Sequence, residues 1–166
     1  MGRHHLPSSQ TRRAERASRR VIGIARTDAE IRRCHDVMRQ LRPHHDDPEA
    51  FVARIKLQQR EGYVLASLAE DGAVRAVAGY RIGNNLAWGK YLYVDDLVTD
   101  TTKRSHGHGK KMLDWLFAQA REDGCDELHL DSGVQRVAAH RFYLRDGGMA
   151  ITSHHFQASL DKDRNG

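Results

Sequence analysis

Cysteine is scarce: Cys34 and Cys125 are the only two in 166 residues. Two thiols without ligand-like spacing exclude a disulfide framework and a cysteine-rich metal centre. No apolar run approaches the roughly 18 residues that span a bilayer, and the N-terminus lacks the apolar core of a secretion signal. No membrane partner is therefore expected, and the chain reads as soluble and cytoplasmic. Three prolines leave long stretches free to form regular structure, and Pro43 and Pro48 fall where helices should end and begin. Internal repeats and linkers are absent, and the length leaves no room for a second full domain.

What is present is a 39% hydrophobic fraction, enough for one core, and a net charge of +5. Much of that excess lies at the start, in Arg3, Arg12, Arg13, Arg16, Arg19 and Arg20, among polar residues and alanine. Such a stretch buries too little to offset the entropy of ordering it. Residues 1–20 are read as a solvated basic tail and residues 21–161 as the folded domain. Nucleic acid is not expected as a partner.

Hydrophobic spacing gives the order of elements. Val21 to Ala25 reads as a strand. Thr27 and Glu30 form a capping box ahead of Ile31, Cys34, Met38 and Leu41 at helical spacing, and Asp47-Pro48 opens a second helix through Phe51, Val52 and Ile55. Tyr63 to Ala69 and Ala73 to Ile82 read as a hairpin about Asp71-Gly72, with a turn at Asn84-Asn85 and a third strand from Tyr91 to Thr99. A helix from Gly107 to Asp123, a strand from Glu127 to Leu130, a helix from Arg136 to Arg145 and a last strand from Met149 to Leu160 complete the pattern. The fold class is α/β of the α+β type, a mixed, mostly antiparallel sheet flanked by helices.

The chemistry gathers where the third long strand leads through a polar loop into a helix, at Asp96-Leu97-Val98-Thr99 and then Arg104-Ser105-His106-Gly107-His108-Gly109-Lys110. Small residues let backbone N–H groups converge there, and free first-turn amides with the helix dipole attract an anion, a diphosphate above all. Neither the G-x-x-x-x-G-K-[ST] loop nor the G-x-G-x-x-G fingerprint fits. A bare G-x-G is equally compatible with a helix entry that binds nothing, and the His106–His108 pair lacks further ligands, so no metal is expected.

The context resembles the GNAT superfamily of acyl-CoA-dependent N-acetyltransferases, whose cofactor motif Q/R-x-x-G-x-G/A is matched at every fixed position by Arg104 to Gly109. The similarity extends from about Val21 to Leu160 and is most specific over residues 91 to 113. It implies acetyl-CoA as co-substrate, with backbone groups of Leu97, Val98 and Thr99 pairing the pantetheine arm and amides of Arg104, Ser105, His106, Gly107, His108, Gly109 and Lys110 holding the pyrophosphate. It implies also that the fourth and fifth strands part at a bulge to admit the thioester. Ala139-His140-Arg141-Phe142-Tyr143 with Gly147 resembles the family's second motif, which makes Tyr143 the general acid. On spacing alone the Phe-Tyr pair reads as helix packing. Arg136 departs from the family's usual asparagine and is assigned to a cofactor phosphate.

The attacking amine must be neutral, and an alkylammonium near pKa 10 has to lose a proton first. Asp95 and Asp96 are candidates to receive it; the resemblance to the acid-bearing strand of polyamine-acetylating members favours Asp95 as base. Adjacent strand residues face opposite ways, so only one acid can face the cleft unless a bulge intervenes. Salt bridging, or a base acting through water, remains open for both. Asp96, Tyr80 and Asp131 are assigned to the acceptor, and Trp88, Tyr91 and Tyr93 lie on segments that could border it. The function read from all this is acetyl transfer from acetyl-CoA to a primary amine of a small molecule such as a polyamine, amino acid or aminoglycoside. A CoA-sensing module without turnover and a protein acetyltransferase are the alternatives. A homodimer is the oligomeric expectation.

Overall fold

A computed structural model describes residues 18–103 and 106–160. Arg3, Arg12, Arg13 and Arg16 of the basic stretch, and Arg104 and Ser105 of the glycine loop, lie outside the described residues. The elements run β1 (Arg20–Ile24), α1 (Asp28–Leu41), α2 (Pro48–Arg60), β2 (Val64–Glu70), β3 (Ala73–Asn85), β4 (Gly89–Thr99), a 3-10 turn (Thr101–Lys103), α3 (His108–Glu122), β5 (Glu127–Leu130) and α4 (Val137–Arg145). Among the described residues no helix is long and apolar enough to cross a membrane.

Local signals set most boundaries. Thr27 accepts from the Glu30 amide while Glu30 accepts from the Thr27 amide, so the capping box starts α1 with two first-turn donors satisfied. Asp47 Oδ1 accepts from the amides of Glu49 and Ala50 to start α2. At the β2–β3 hairpin, Asp71 and Gly72 have φ of 50° and 85°, the left-handed pair that a tight hairpin turn demands. β3 runs on through the expected Asn84-Asn85 turn, because Asn85 Oδ1 accepts from the amides of Ala87 and Trp88 and moves the reversal to residues 86–88.

The sheet order is β1-β2-β3-β4-β5, antiparallel throughout except for the parallel β4–β5 pair. Helices α1 and α2 cover one face through Ile31, Cys34, Met38, Phe51 and Ile55, packed on Leu65 and Val77. Helix α3 covers the other through Met112, Leu113 and Leu116, packed on Leu68, Ala78, Leu92 and Leu97, with Tyr143 of α4 beside them. The expected strand over Met149–Leu160 does not form. Ile151, Phe156 and Leu160 are 75%, 90% and 91% exposed. Among the described residues the sheet ends at β1 and β5, five and four residues long, and the segment carries too many polar residues to bury a face against so short an edge.

Arg20, first residue of β1, bonds Glu70 at 2.7 Å, and Glu70 also meets the buried ring of His108 at 3.0 Å. The Arg20 guanidinium foremost, helped by Ser18 and His108, holds the Glu70 carboxyl down from 4.5 to about 2. A carboxyl lowered in the folded state contributes stability that is complete above its unfolded value and is lost as pH falls toward the folded one. Urea midpoints measured across pH 4.5 to 2 should therefore fall more steeply in the parent chain than in Glu70→Gln.

Candidate active site

β4 and β5 pair only from Tyr91↔Glu127 to Val94↔Leu130. β4 then continues to Thr99 while β5 ends, so the two strands part at Asp95. On its other side β4 stays bonded to β3, but the register breaks: Val94 pairs Tyr80 and Asp96 pairs Gly79, leaving Asp95 as an extra residue with no partner. This is a β-bulge. It flips the alternation of side chains, so Leu92 and Val94 before it and Leu97 after it all face the α3 core. Asp100 donates to the Arg75 carbonyl across the β3–β4 pair, and alternation from there turns the amides of Thr99 and Leu97 toward the missing neighbour.

The bulge also brings both acids to one side. Asp95 Oδ2 accepts from Arg81 Nε at 2.7 Å, while Asp96 accepts from Arg42 Nε on Oδ1 and from the Tyr63 hydroxyl on Oδ2, each at 2.8 Å. Arg42 reaches the Asp95 carbonyl as well, and the Arg81 guanidinium lies 5.3 Å above the Tyr63 ring. Burial and the two carboxylates push the Tyr63 phenol well above its usual value, so it remains a donor. Both oxygens of Asp96 are occupied. Oδ1 of Asp95 has no hydrogen-bond partner among the described residues. Sequence reasoning did not single out Arg42, Tyr63 or Arg81. The one signal for them was the shift of apolar spacing in β4 from Leu92–Val94 to Val94–Leu97, which marks the bulge they brace.

Two cavities meet at this point, sharing Arg42 and Asp95. The first, about 260 Å³, is bordered by Val94, Leu97, Leu130, Asp131, Arg136 and Tyr143. The second, about 270 Å³, opens between α1, α2 and β4 and is bordered by both acids. Burial pushes the Tyr143 phenol upward, against a smaller pull from Arg136. Gly147 allows α4 to seat it: a Cβ there would lie 2.7 Å from the Tyr143 carbonyl and 3.0 Å from Leu113. Asp131 receives the Tyr93 hydroxyl and, at 3.2 Å, His155.

Tyr80 is placed differently from its assignment to the acceptor. It is 3% exposed, packs edge-on against Trp115 in the α3 core and borders neither cavity. Trp88 and Tyr91 gather with His129 near the far end of β4 and likewise border neither.

At the other end of the cleft, Gly107 caps α3 with φ 76°, and among the described residues no side-chain hydrogen bond caps the helix start. Gly109 sits where a Cβ would come within 3.2 Å of Thr99, so the helix start lies close against the end of β4. His106 is exposed, and Lys110 turns back to Asp114 along the helix. The site therefore offers an anion its backbone donors. Neither thiol borders the cleft. Burial raises Cys34 to about 11. A thiol-disulfide reagent at pH 8 should accordingly titrate Cys125 alone in the folded protein and both cysteines in urea.

A sheet parted beside a helix start, with a phenol and carboxylates where the strands separate, fits an acyltransferase. Residues 26–149 match the family model described as Acetyltransferase (GNAT) family, and the chain belongs to that family. It is 37% identical over 124 residues to the uncharacterized N-acetyltransferase YhdJ of Bacillus subtilis (strain 168), across 74% of this chain and 87% of that protein. A shorter match, 35% over 54 residues, joins 32% of this chain to 35% of the aminoalkylphosphonate N-acetyltransferase of Salmonella typhimurium (strain LT2). The fold superposes on the aminoglycoside N-acetyltransferase AAC(6')-Iy in complex with CoA with a TM-score of 0.74 at 16% identity, over 87% of this chain and 97% of that one.

Proposed function

We propose that the chain transfers an acetyl group from acetyl-CoA directly to the primary amine of a small molecule. The observation that carries this reading is the position of Asp95, an unpaired bulge residue bordering both cavities, the first of which also holds Tyr143. In this reading the free backbone groups of Leu97 and Thr99 pair the pantetheine arm, Val98 between them being held to β3, the loop from Arg104 to Lys110 takes the pyrophosphate, and Arg136 lies toward a phosphate. The amine attacks the thioester carbon, and the Leu97 amide donates to the carbonyl oxygen as charge develops on it. The carbon–sulfur bond then breaks. Tyr143 gives its proton to the departing sulfur, and the proton lost by the amine passes to Asp95 directly or through water. The names of the aminoalkylphosphonate and aminoglycoside relatives support a small amine as acceptor.

The test is calorimetric titration with acetyl-CoA, then thiol release in the same preparation across polyamines, amino acids, aminoglycosides and lysine peptides. Binding with turnover on a small amine is the expected result. Turnover confined to lysine peptides would make the chain a protein acetyltransferase, and binding without any turnover would make it a CoA-sensing module. Absence of binding would overturn the reading of residues 104–110.

A further inference from the structure

The second cavity has a charge pattern that a simple alkylamine does not use. Its acids are already compensated: Asp96 by Arg42 and Tyr63, Asp95 by Arg81. Its remaining polar wall is made of Arg54 from α2 with His44 and His45 from the α1–α2 connection, beside the neutral amide of Gln58. None of the ion pairs among the described residues involves Arg54. The two acids closest before it in sequence are committed elsewhere, Asp47 to the start of α2 and Glu49 to Arg32. Arg54 is exposed on the cavity rim with its charge unmatched.

The connection bearing the histidines is held in place. The His45 amide donates to the Arg42 carbonyl at 3.0 Å, and buried His35 Nε2 donates to the His45 carbonyl at 2.8 Å. The His44 and His45 rings lie 4.2 Å apart. Desolvation is the main cause that lowers the His45 pKa, and the further contributions of His44 and Arg54, opposed by Asp96, show that these basic side chains lie close to it.

We infer that the second cavity seats an anionic group of the acceptor, so that the substrate class is a small primary amine carrying a carboxylate, phosphonate or phosphate a few atoms from its nitrogen. The nitrogen lies toward Asp95, where the cavities join, and the anion lies against Arg54, His44 and His45. This deepens the reading proposed above and rests on it for the position of the nitrogen. It departs from a polyamine acceptor, whose second ammonium would meet Arg54.

The experiment compares kcat/KM for n-propylamine, 1,4-diaminobutane, 4-aminobutyrate and 3-aminopropylphosphonate. The two anionic amines should exceed the others by roughly ten- to hundredfold, the scale of one charge-assisted contact, and their mutual ratio identifies the head group. Arg54→Ala should bring the anionic-to-neutral ratio toward one, mainly through KM, and Arg54→Lys should restore part of it. A parent ratio of one or less, or a preference for the diamine, overturns the inference while leaving amine acetylation intact. An independent reading uses inorganic phosphate titrated into the CoA-saturated protein, followed by the imidazole resonances of His44 and His45. Saturable shifts that weaken at least about tenfold in Arg54→Ala support the subsite even if no amine is turned over, in which case the transfer reading fails alone. No saturable shift, or one unchanged by Arg54→Ala, overturns the subsite.

Discussion

Tyr143→Phe should lower kcat by about 10²- to 10⁴-fold while leaving the Kd for acetyl-CoA within a factor of about two. The expected size is that of one general acid acting on a leaving group. Without a donor, sulfur must depart as a thiolate, with no proton delivered as the carbon–sulfur bond breaks. Binding is spared because the contacts proposed for the cofactor are backbone groups of β4 and the α3 start, none of which the hydroxyl touches. Folding is spared for a similar reason: the ring packs with the α3 core and the substitution keeps the ring. Burial holds the phenol above its ordinary value, so it stays protonated throughout the neutral range, and the parent kcat should not fall with rising pH until well into the alkaline range. Steady-state kinetics beside calorimetry decide the point. A variant retaining more than about a tenth of parent kcat would remove Tyr143 from the chemistry and leave the packing interpretation of the Phe142-Tyr143 pair.

The elements legible in the sequence were those fixed by neighbours along the chain. The Thr27–Glu30 box, the Asp47-Pro48 start, the Asp71-Gly72 turn and the four residues of β5 all depend on contacts within a few positions, and each appears where its residues indicate. What escaped depends on partners far away in sequence. Tyr80 looks like a cleft aromatic until the bulge is known, since one inserted residue decides which face each side chain of β4 takes relative to β3. The same bulge allows Asp95 and Asp96 to share a side, which strict alternation forbids. The braces come from the residue that caps α1, from the residue before β2 and from β3, through Arg42, Tyr63 and Arg81, and no local spacing connects those positions with residue 95. The Met149–Leu160 segment has strand-like residues but only the short edges of β1 and β5 to join, and the available partner overrides propensity.

Gly79 is the glycine on which the acid brace depends, and Gly79→Ala should cost roughly 3 kcal/mol in stability. A Cβ at residue 79 would fall 1.7 Å from the Tyr63 hydroxyl and 2.2 Å from its Cζ. The ring cannot yield cheaply, because Tyr63 is 2% exposed and its hydroxyl is bonded to Asp96, the residue that Gly79 itself opposes across the strand pair. Either the ring stays and the sheet is forced open at the bulge, or the ring leaves and Asp96 loses a donor in a largely enclosed place. The first alternative costs overpacking and the second a charge-assisted hydrogen bond, each of the order of 1–3 kcal/mol, and partial relaxation mixes the two. A double-mutant cycle in urea separates this from a general intolerance of side chains in β3. With Tyr63→Ala the obstacle is gone, and Gly79→Ala in that background should cost less than about 1 kcal/mol. Equal costs in the two backgrounds would show that residue 79 is constrained by the bulge backbone alone, whereas the expected coupling ties Gly79, Tyr63 and Asp96 into one unit that holds Asp95 at the meeting of the two cavities.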